Sequence, residues 1–547
     1  MNAIKEAQKV RSRLTPVLLL GLLASFAGCG SDSNTTPAGM GSDGPDASEM
    51  PVVHQTGNAV AGQTVFRFET FGNEQFWTDA LRLQQGMMAT QMTPLMALQR
   101  LGLSIDIDAL DATTRQTLVA ESMTNLSPQS APMLNDPNTL INLINANAVI
   151  GIPAKDSNRD GIVNIRNGDK TGTTCALCHT ITDASVLNMP NGGSIGRRQD
   201  GRAPHNLNFG ALVATGLNSR AYYPVLQLTL NANGGRTLGR APTGIRPTST
   251  EAEVDAYLSN PEFYPVGMFD DTFDGNGDPM HNMPLFRTDL AAPWGSDGTI
   301  ARLDNFNNLV YTGLLDPTTV TTPDGRAFLR KLGGTAAGDE IADGYVQVLA
   351  ATGVTGFPFL QANVHQNPGS EEAPLGIRVD DTKLLDMNAY LNSLQAPAGV
   401  VTDAAAVSRG RASFRNNCTS CHNVDQRRPV PAFVVAMRTI FPGDNPEVLL
   451  PQRNPPLNPI LNTVDSFFDD KMAVVNASLR GSIRGTALPL LLDLARKPVF
   501  LHDNSVPSLD DLLNPSRGAA APHPFFFADP AQRSDMVEFL RSLDTGS

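Results

Sequence analysis

Cysteine is scarce, five in 547 residues. Four of the five stand in two close pairs, and a disulfide inside either pair would close a tiny loop and stabilise little. Basic charge is also short. Forty-one Lys and Arg face 54 Asp and Glu, for a formal net charge of −13. That balance excludes a nucleic-acid partner, because phosphate binding needs a basic surface. It leaves room for a small molecule or a basic redox protein. Long apolar runs are lacking beyond residue 27, so no later segment is a membrane span. Tryptophan is limited to Trp77 and Trp294; either could relay electrons, though core packing is the ordinary role of the indole. What is present is 41% hydrophobic and 17% charged residues. That is enough apolar surface for a sizeable core and argues against global disorder. The length fits two to four domains of ~100–200 residues each.

The first 29 residues read as an address. Lys5, Lys9, Arg11 and Arg13 make a basic start, and Pro16 to Ala27 is an apolar run suited to a signal peptide. Phe26-Ala27-Gly28-Cys29 resembles the lipobox of bacterial lipoproteins. The resemblance implies cleavage before Cys29, acylation of that residue, and export to the periplasmic face of a membrane or the cell surface. Contact with the membrane would be through the lipid alone. An ordinary secretory signal with an incidental Cys29 is the alternative. Residues 30–57, rich in Ser, Gly, Pro and Asp at their start, bury little and read as a flexible linker.

The remaining cysteines are Cys175, Cys178, Cys418 and Cys421, and all lie in Cys-x-x-Cys-His. That order suits covalent attachment of a c-type haem. Two thiols at this spacing reach the two vinyl groups on one porphyrin edge, and the adjacent imidazole ligates the iron. His179 and His422 are the expected fifth ligands, and two covalently bound haems the expected cofactors. A four-cysteine zinc site usually has its pairs ~15–20 residues apart and leaves both histidines unexplained. A redox dithiol needs one pair and no histidine.

Asp403 is placed to cap a helix carrying Val407, Arg411 and Phe414 at helical spacing into the second motif. Asp535–Leu543 (DMVEFLRSL) reads as a closing amphipathic helix, and Asp386–Leu394 (DMNAYLNSL) repeats it. A fainter repeat links Gly62-x-x-x-Phe66 with Gly410-x-x-x-Phe414. A helix entering Cys-x-x-Cys-His and a second closing the unit resemble the cytochrome c fold. The expected fold class is mainly α, with two cytochrome c-like domains over 58–397 and 403–547, the first enlarged by inserts and irregular loops. Helical patches are expected at Phe76–Met88, Pro94–Leu103, Asp111–Met123 and Thr139–Ala148. Residues 200–380 read as loops and short helices, and Gln395–Gly399 as a linker.

Lys497–Leu513 (KPVFLHDNSVPSLDDLL), with Ala477–Gly481 before it, resembles the C-terminal segment of bacterial dihaem cytochrome c peroxidases, which are related to dihaem rubber oxygenases. Asn504 stands where that pattern usually has glycine. Gly196-Arg197-Arg198-x-Asp200-Gly201 after the first motif resembles long dihaem cytochromes. The resemblance implies His502 as sixth ligand of haem 2, with Met472 and His523 as alternatives. For haem 1 the candidates are His205, His281 and Met283; His54 and His365 complete the histidines. Occupied irons shuttle electrons and open ones bind oxidants. The expected function is therefore electron transfer with a redox partner protein. The alternative is a peroxidase- or oxygenase-like oxidoreductase acting on a small oxidant, with haem 2 feeding an open haem 1. Glu74 is a candidate distal acid. Asp156, Asn158, Asp160 and Asn164 place oxygens at calcium-loop spacing, with Gly161 at the turn. Asn167 stands where that loop wants an acid and Asp169 follows two residues on. Asp274–Asp278 is a shorter version of the pattern.

Overall fold

The computed structural model describes residues 57–418, except 278, 287, 289–293, 295–299, 301, 361, 363, 366–369 and 371. It also describes three short strands at 434–436, 471–473 and 486–487, and residues 491–543 except 502, 520, 522 and 524. The chain divides into Met1–Pro51 and Val52–Ser547, and every described residue belongs to the second part. Cys29, His54, Cys421, His422 and His502 lie outside the described residues.

The described chain is mainly helical. In chain order its helices are α1 (Ala59–Phe68), α2 (Leu83–Ala89), α3 (Pro94–Leu101), α4 (Ala112–Ser122), α5 (Pro137–Asn145), α6 (Ala176–His179), α7 (Phe209–Ala214) and α8 (Glu251–Leu258). Then come α9 (Leu303–Leu309), α10 (Pro323–Gly333), α11 (Thr335–Ala351), α12 (Asp381–Ser393), α13 (Ala404–Asn417), α14 (Leu509–Leu512) and α15 (Pro530–Arg541). Described strands are two or three residues long. No helix among the described residues is long and apolar enough to cross a membrane.

Helix starts follow local chemistry. Thr93, Asp136, Thr322 and Asp529 each accept a hydrogen bond from a first-turn amide, with proline next in sequence. Such side chains satisfy amides that have no partner inside the helix, and proline there gives up nothing. Thr250 and Glu253 form a reciprocal capping box at α8. Asp403 caps α13 through the amides of Ala405 and Ala406, in agreement with the sequence.

Two expectations needed correction. The patch Phe76–Met88 is not one helix: a π turn at Phe76–Ala80 ends at Arg82, whose φ is +62°. The carbonyls of Ala80 and Leu81 are taken by the side chain and amide of Asn218, 2.8 and 3.1 Å away, so they leave the helical ladder. Residues 200–380 hold the longest described helix, α11, of 17 residues. Ile341, Tyr345, Val348 and Leu349 form its buried face, and two glycines inside it mask the helix in sequence. Gly338 lies on the α10 backbone and Gly344 under the Tyr223 ring.

The internal repeat is realised as equivalent packing. Helix α1 crosses α12, and α13 crosses α15. Gly62 lies against the backbone of Asp386, and Gly410 against that of Asp535. Phe66 meets Tyr390 with centroids 5.7 Å apart at 53°, and Phe414 meets Phe539 at 5.4 Å and 58°. Each crossing has its own apolar cluster, one around Phe66, Tyr311 and Met387, the other around Phe414, Met536 and Phe539; a larger cluster holds the insert and α7–α11. Residues 395–402 are not a loose linker, since the Val400 amide donates to the Arg541 carbonyl at 2.8 Å.

Candidate functional site

In sequence, the first Cys-x-x-Cys-His stands far from α1, whereas Cys418 directly caps α13, its amide on the Phe414 carbonyl at 2.8 Å. The structure removes that difference. The insert leaves α1 and returns, so that the Thr174 hydroxyl donates to the Arg67 carbonyl in the last turn of α1 at 3.2 Å. Asn73, fully buried, clamps Thr173 from both sides, donating to its carbonyl at 2.9 Å and accepting from its amide at 3.0 Å. A buried amide group satisfied in this bidentate way is a firm anchor. Thr174 donates its own amide to Gly151, whose φ of +79° and contact with the Leu177 backbone leave no space for a side chain.

Within this frame Cys175 packs on the cluster of Tyr311 and Met387, while Cys178 packs on the larger cluster of the insert. The Cys175 thiol donates to the Tyr311 hydroxyl at 3.5 Å, which donates to the Glu69 carbonyl at 3.2 Å. The thiols are not joined to each other. Burial pushes Cys175 up to about 11, against the Tyr311 contact; burial and then the neighbouring Cys175 push Cys178 up to about 12. The Nδ1 atom of His179 lies 2.7 Å from the Met283 carbonyl oxygen. Burial holds the imidazole down at about 4, against that carbonyl. A neutral ring facing an acceptor must carry its proton on Nδ1, which leaves the Nε2 lone pair for a metal. Both thiols and the imidazole are only half-buried by surface although dense protein desolvates them. Two unjoined thiols and a fixed tautomer between two apolar clusters fit a covalently attached haem.

The segment after the motif explains its Gly-Arg-Arg-x-Asp-Gly. Strand 180–182 pairs antiparallel with 198–200. The Asp200 carboxylate, 2% exposed, accepts from Arg67 Nε at 2.6 Å, from the Tyr390 hydroxyl at 2.5 Å and from the Thr180 hydroxyl at 3.0 Å. It ties α1 and α12 to the motif. Arg198 pairs with Asp106 at 2.5 Å and lies over the Phe68 ring. The Gly201 amide donates to the His179 carbonyl at 2.8 Å.

The haem-1 sixth-ligand candidates fall differently from expectation. Met283 meets His179 through its carbonyl, on the ring edge facing away from Nε2, and its residue is 38% exposed. His281 presents Nε2 to Lys497 Nζ at 3.1 Å. His205 is half-buried, and burial, then Lys497 and Arg202, push it down to about 4. Lys497 and the Met283 carbonyl were missed as functional groups: one lies far along the chain and the other is a backbone atom. His523 is half-buried beside the Phe525 ring, and Met472 and His365 are described only through their strands. Glu74 is half-buried and accepts from the Thr70 hydroxyl at 2.6 Å. Trp77 is fully buried with Nε1 on the Leu315 carbonyl, and Trp294 is buried in the Tyr311 cluster.

The calcium-spaced loop closes on itself. Asp156 accepts from the amides of Asp160 and Gly161, and Asp160 from that of Ile162. Asn158 accepts from the Asp160 amide and Asn164 from that of Arg166. Asp169 takes the place expected for position 12, accepting from the amides of Ser157, Asn158 and Asn164. Among the described residues no three His, Cys, Asp or Glu side chains converge on a metal position.

No family model matches the chain, and no curated protein does. One solved structure, the hydrazine synthase of Kuenenia stuttgartiensis pressurized with 20 bar xenon, aligns with 16% identity. It covers 50% of this chain and 76% of that chain at a TM-score of 0.24, a score too low to carry an argument.

Proposed function

We propose that this chain is an exported dihaem c-type cytochrome that transfers electrons, built from two cytochrome c-like units over 58–397 and 403–547. The observation that carries the reading is the His179 Nδ1–Met283 carbonyl contact beside two neutral, unjoined thiols. Cys175, Cys178 and His179 would hold haem 1; Cys418, Cys421 and His422 would hold haem 2. The haem supplies one-electron chemistry. The chain's own residues fix the tautomer of the ligand through Met283, hold its backbone through Gly201, and close apolar surface around the ring edge through Tyr311 and Met387. His502 remains the proposed sixth ligand of haem 2. The Phe26–Cys29 lipobox supports a lipid anchor on Cys29 outside the cytoplasm.

One observation favours a second reading, a peroxidase-type oxidoreductase with an open haem 1: of its three candidate sixth ligands, His281 is engaged by Lys497. Calcium at Asp156, Asn158, Asp160 and Asn164 is proposed on oxygen spacing alone.

The deciding experiment is intact mass and absorption of protein made in a host that attaches c-type haem. Two haem increments and a Soret band are expected, with one increment lost in Cys175→Ala/Cys178→Ala. No increment in the wild type sinks the reading. A high-spin haem that shifts with peroxide or cyanide selects the enzyme; two unresponsive low-spin haems select the electron carrier.

A further inference from the structure

The segment 493–497 of the C-terminal part meets the two segments that hold His179, and cationic side chains gather at the seam. Lys497 is half-buried, its Nζ lies 3.1 Å from His281 Nε2, and among the described residues no ion pair joins it to a carboxylate. Burial alone drives its amine down to about 8. His205 stands between Lys497 and Arg202, and its Nδ1 is buried without a hydrogen-bond partner. Asp493 is the acid that the described residues bring here, but it is held by Arg496 at 2.7 Å and lies 3.7 Å from Arg202. Asp493 is thus shared between two arginines and leaves Lys497 uncompensated among the described residues; a desolvated cation of that kind is costly, and a carboxylate accepting charge-assisted hydrogen bonds is its natural complement. The seam adjoins the first motif. Arg202 follows Gly201, whose amide holds the His179 carbonyl, and His281 stands two residues before Met283, whose carbonyl holds the His179 ring.

We infer that Lys497, Arg202 and His205 form a seat for a carboxylate, and that its source is a propionate of haem 1; the inference rests on the haem reading of the first motif. A lysine from the C-terminal part would then set the charge around the haem of the first. Removing that charge favours the ferric state, because the oxidised iron no longer meets a positive neighbour.

The test is spectroelectrochemical titration of full-length holoprotein with both haems confirmed by mass. In Lys497→Gln one midpoint potential is expected to fall while the other stays, Arg202→Gln is expected to move the same haem, and Lys497→Arg to restore most of the loss. Because Lys497→Arg keeps charge and length, it separates an electrostatic role from a folding defect. Midpoints unchanged in both Gln variants overturn the seat. Titrating the wild type with inorganic phosphate and with acetate separates the sources. A saturable shift of that midpoint, lost in Lys497→Gln, assigns the seat to a free anion and overturns the propionate; no such shift upholds it. A wild type without covalent haem would instead defeat the haem reading itself.

Discussion

Gly62 lies so close to the backbone of Asp386 that a Cβ would strike its carbonyl, and Gly410 stands in the same relation to Asp535. Both pairs are framed by a ring contact one helical turn on, Phe66 with Tyr390 and Phe414 with Phe539. Two stretches that share only a glycine, a phenylalanine and their spacing thus solve one packing problem twice. Gly62→Ala and Gly410→Ala should each destabilise the protein by about 1–3 kcal/mol, the usual cost of forcing extra volume into a filled contact. Denaturant midpoints would show it, and two neutral substitutions would mean that the helices cross elsewhere.

Asp316 makes stability depend on pH. Its carboxyl is fully buried; it accepts from the Thr318 amide and hydroxyl and from the Leu360 amide. Burial outweighs those bonds and raises it to about 6, above an unfolded value of about 3.9. The folded state therefore binds more protons between those values, and this group's contribution to stability falls as pH rises through that window. Asp316→Asn removes the titration, and leaves donors unmatched at a cost of about 1–3 kcal/mol. The stability of wild type minus Asp316→Asn, from urea unfolding at pH 4 to 7, should decline as pH rises. A flat difference would contradict the burial of this carboxyl.

Asp169 should control the loop that enters the first motif. Burial would raise its carboxyl, but the amides of Asn164, Asn158 and Ser157 together hold it below the usual carboxylate range. Its support is complete above the unfolded value and is lost as pH falls through the folded one. Asp169→Ala leaves three amides without an acceptor, so limited proteolysis between residues 157 and 168 should quicken. Calcium protection of the same loop from cleavage, abolished by a chelator and by Asp160→Asn, would support the ion; equal rates with calcium and with chelator would remove it from the account.

Residues close in the chain were readable because their chemistry is local. Cys175, Cys178 and His179 stand within five residues, and Asp403 declares a helix start through amides two and three residues on. The glycine–phenylalanine repeat was readable because a close helix crossing admits few residue types. Helix α11 was overlooked although Ile341, Tyr345, Val348 and Leu349 recur on one face; the glycines at 338 and 344, which take its closest contacts, read as loop signals.

The sequence by itself determined two Cys-x-x-Cys-His motifs, an acidic, largely helical chain and a repeated helix pattern, because each is written in residue type and short spacing. Tertiary structure alone decided that Asn73 clamps the first motif, that Met283 serves through its carbonyl, and that Lys497 reaches His281. Those relations join residues about a hundred to two hundred positions apart, or use backbone atoms that every residue carries, and so leave no mark on the order of amino acids.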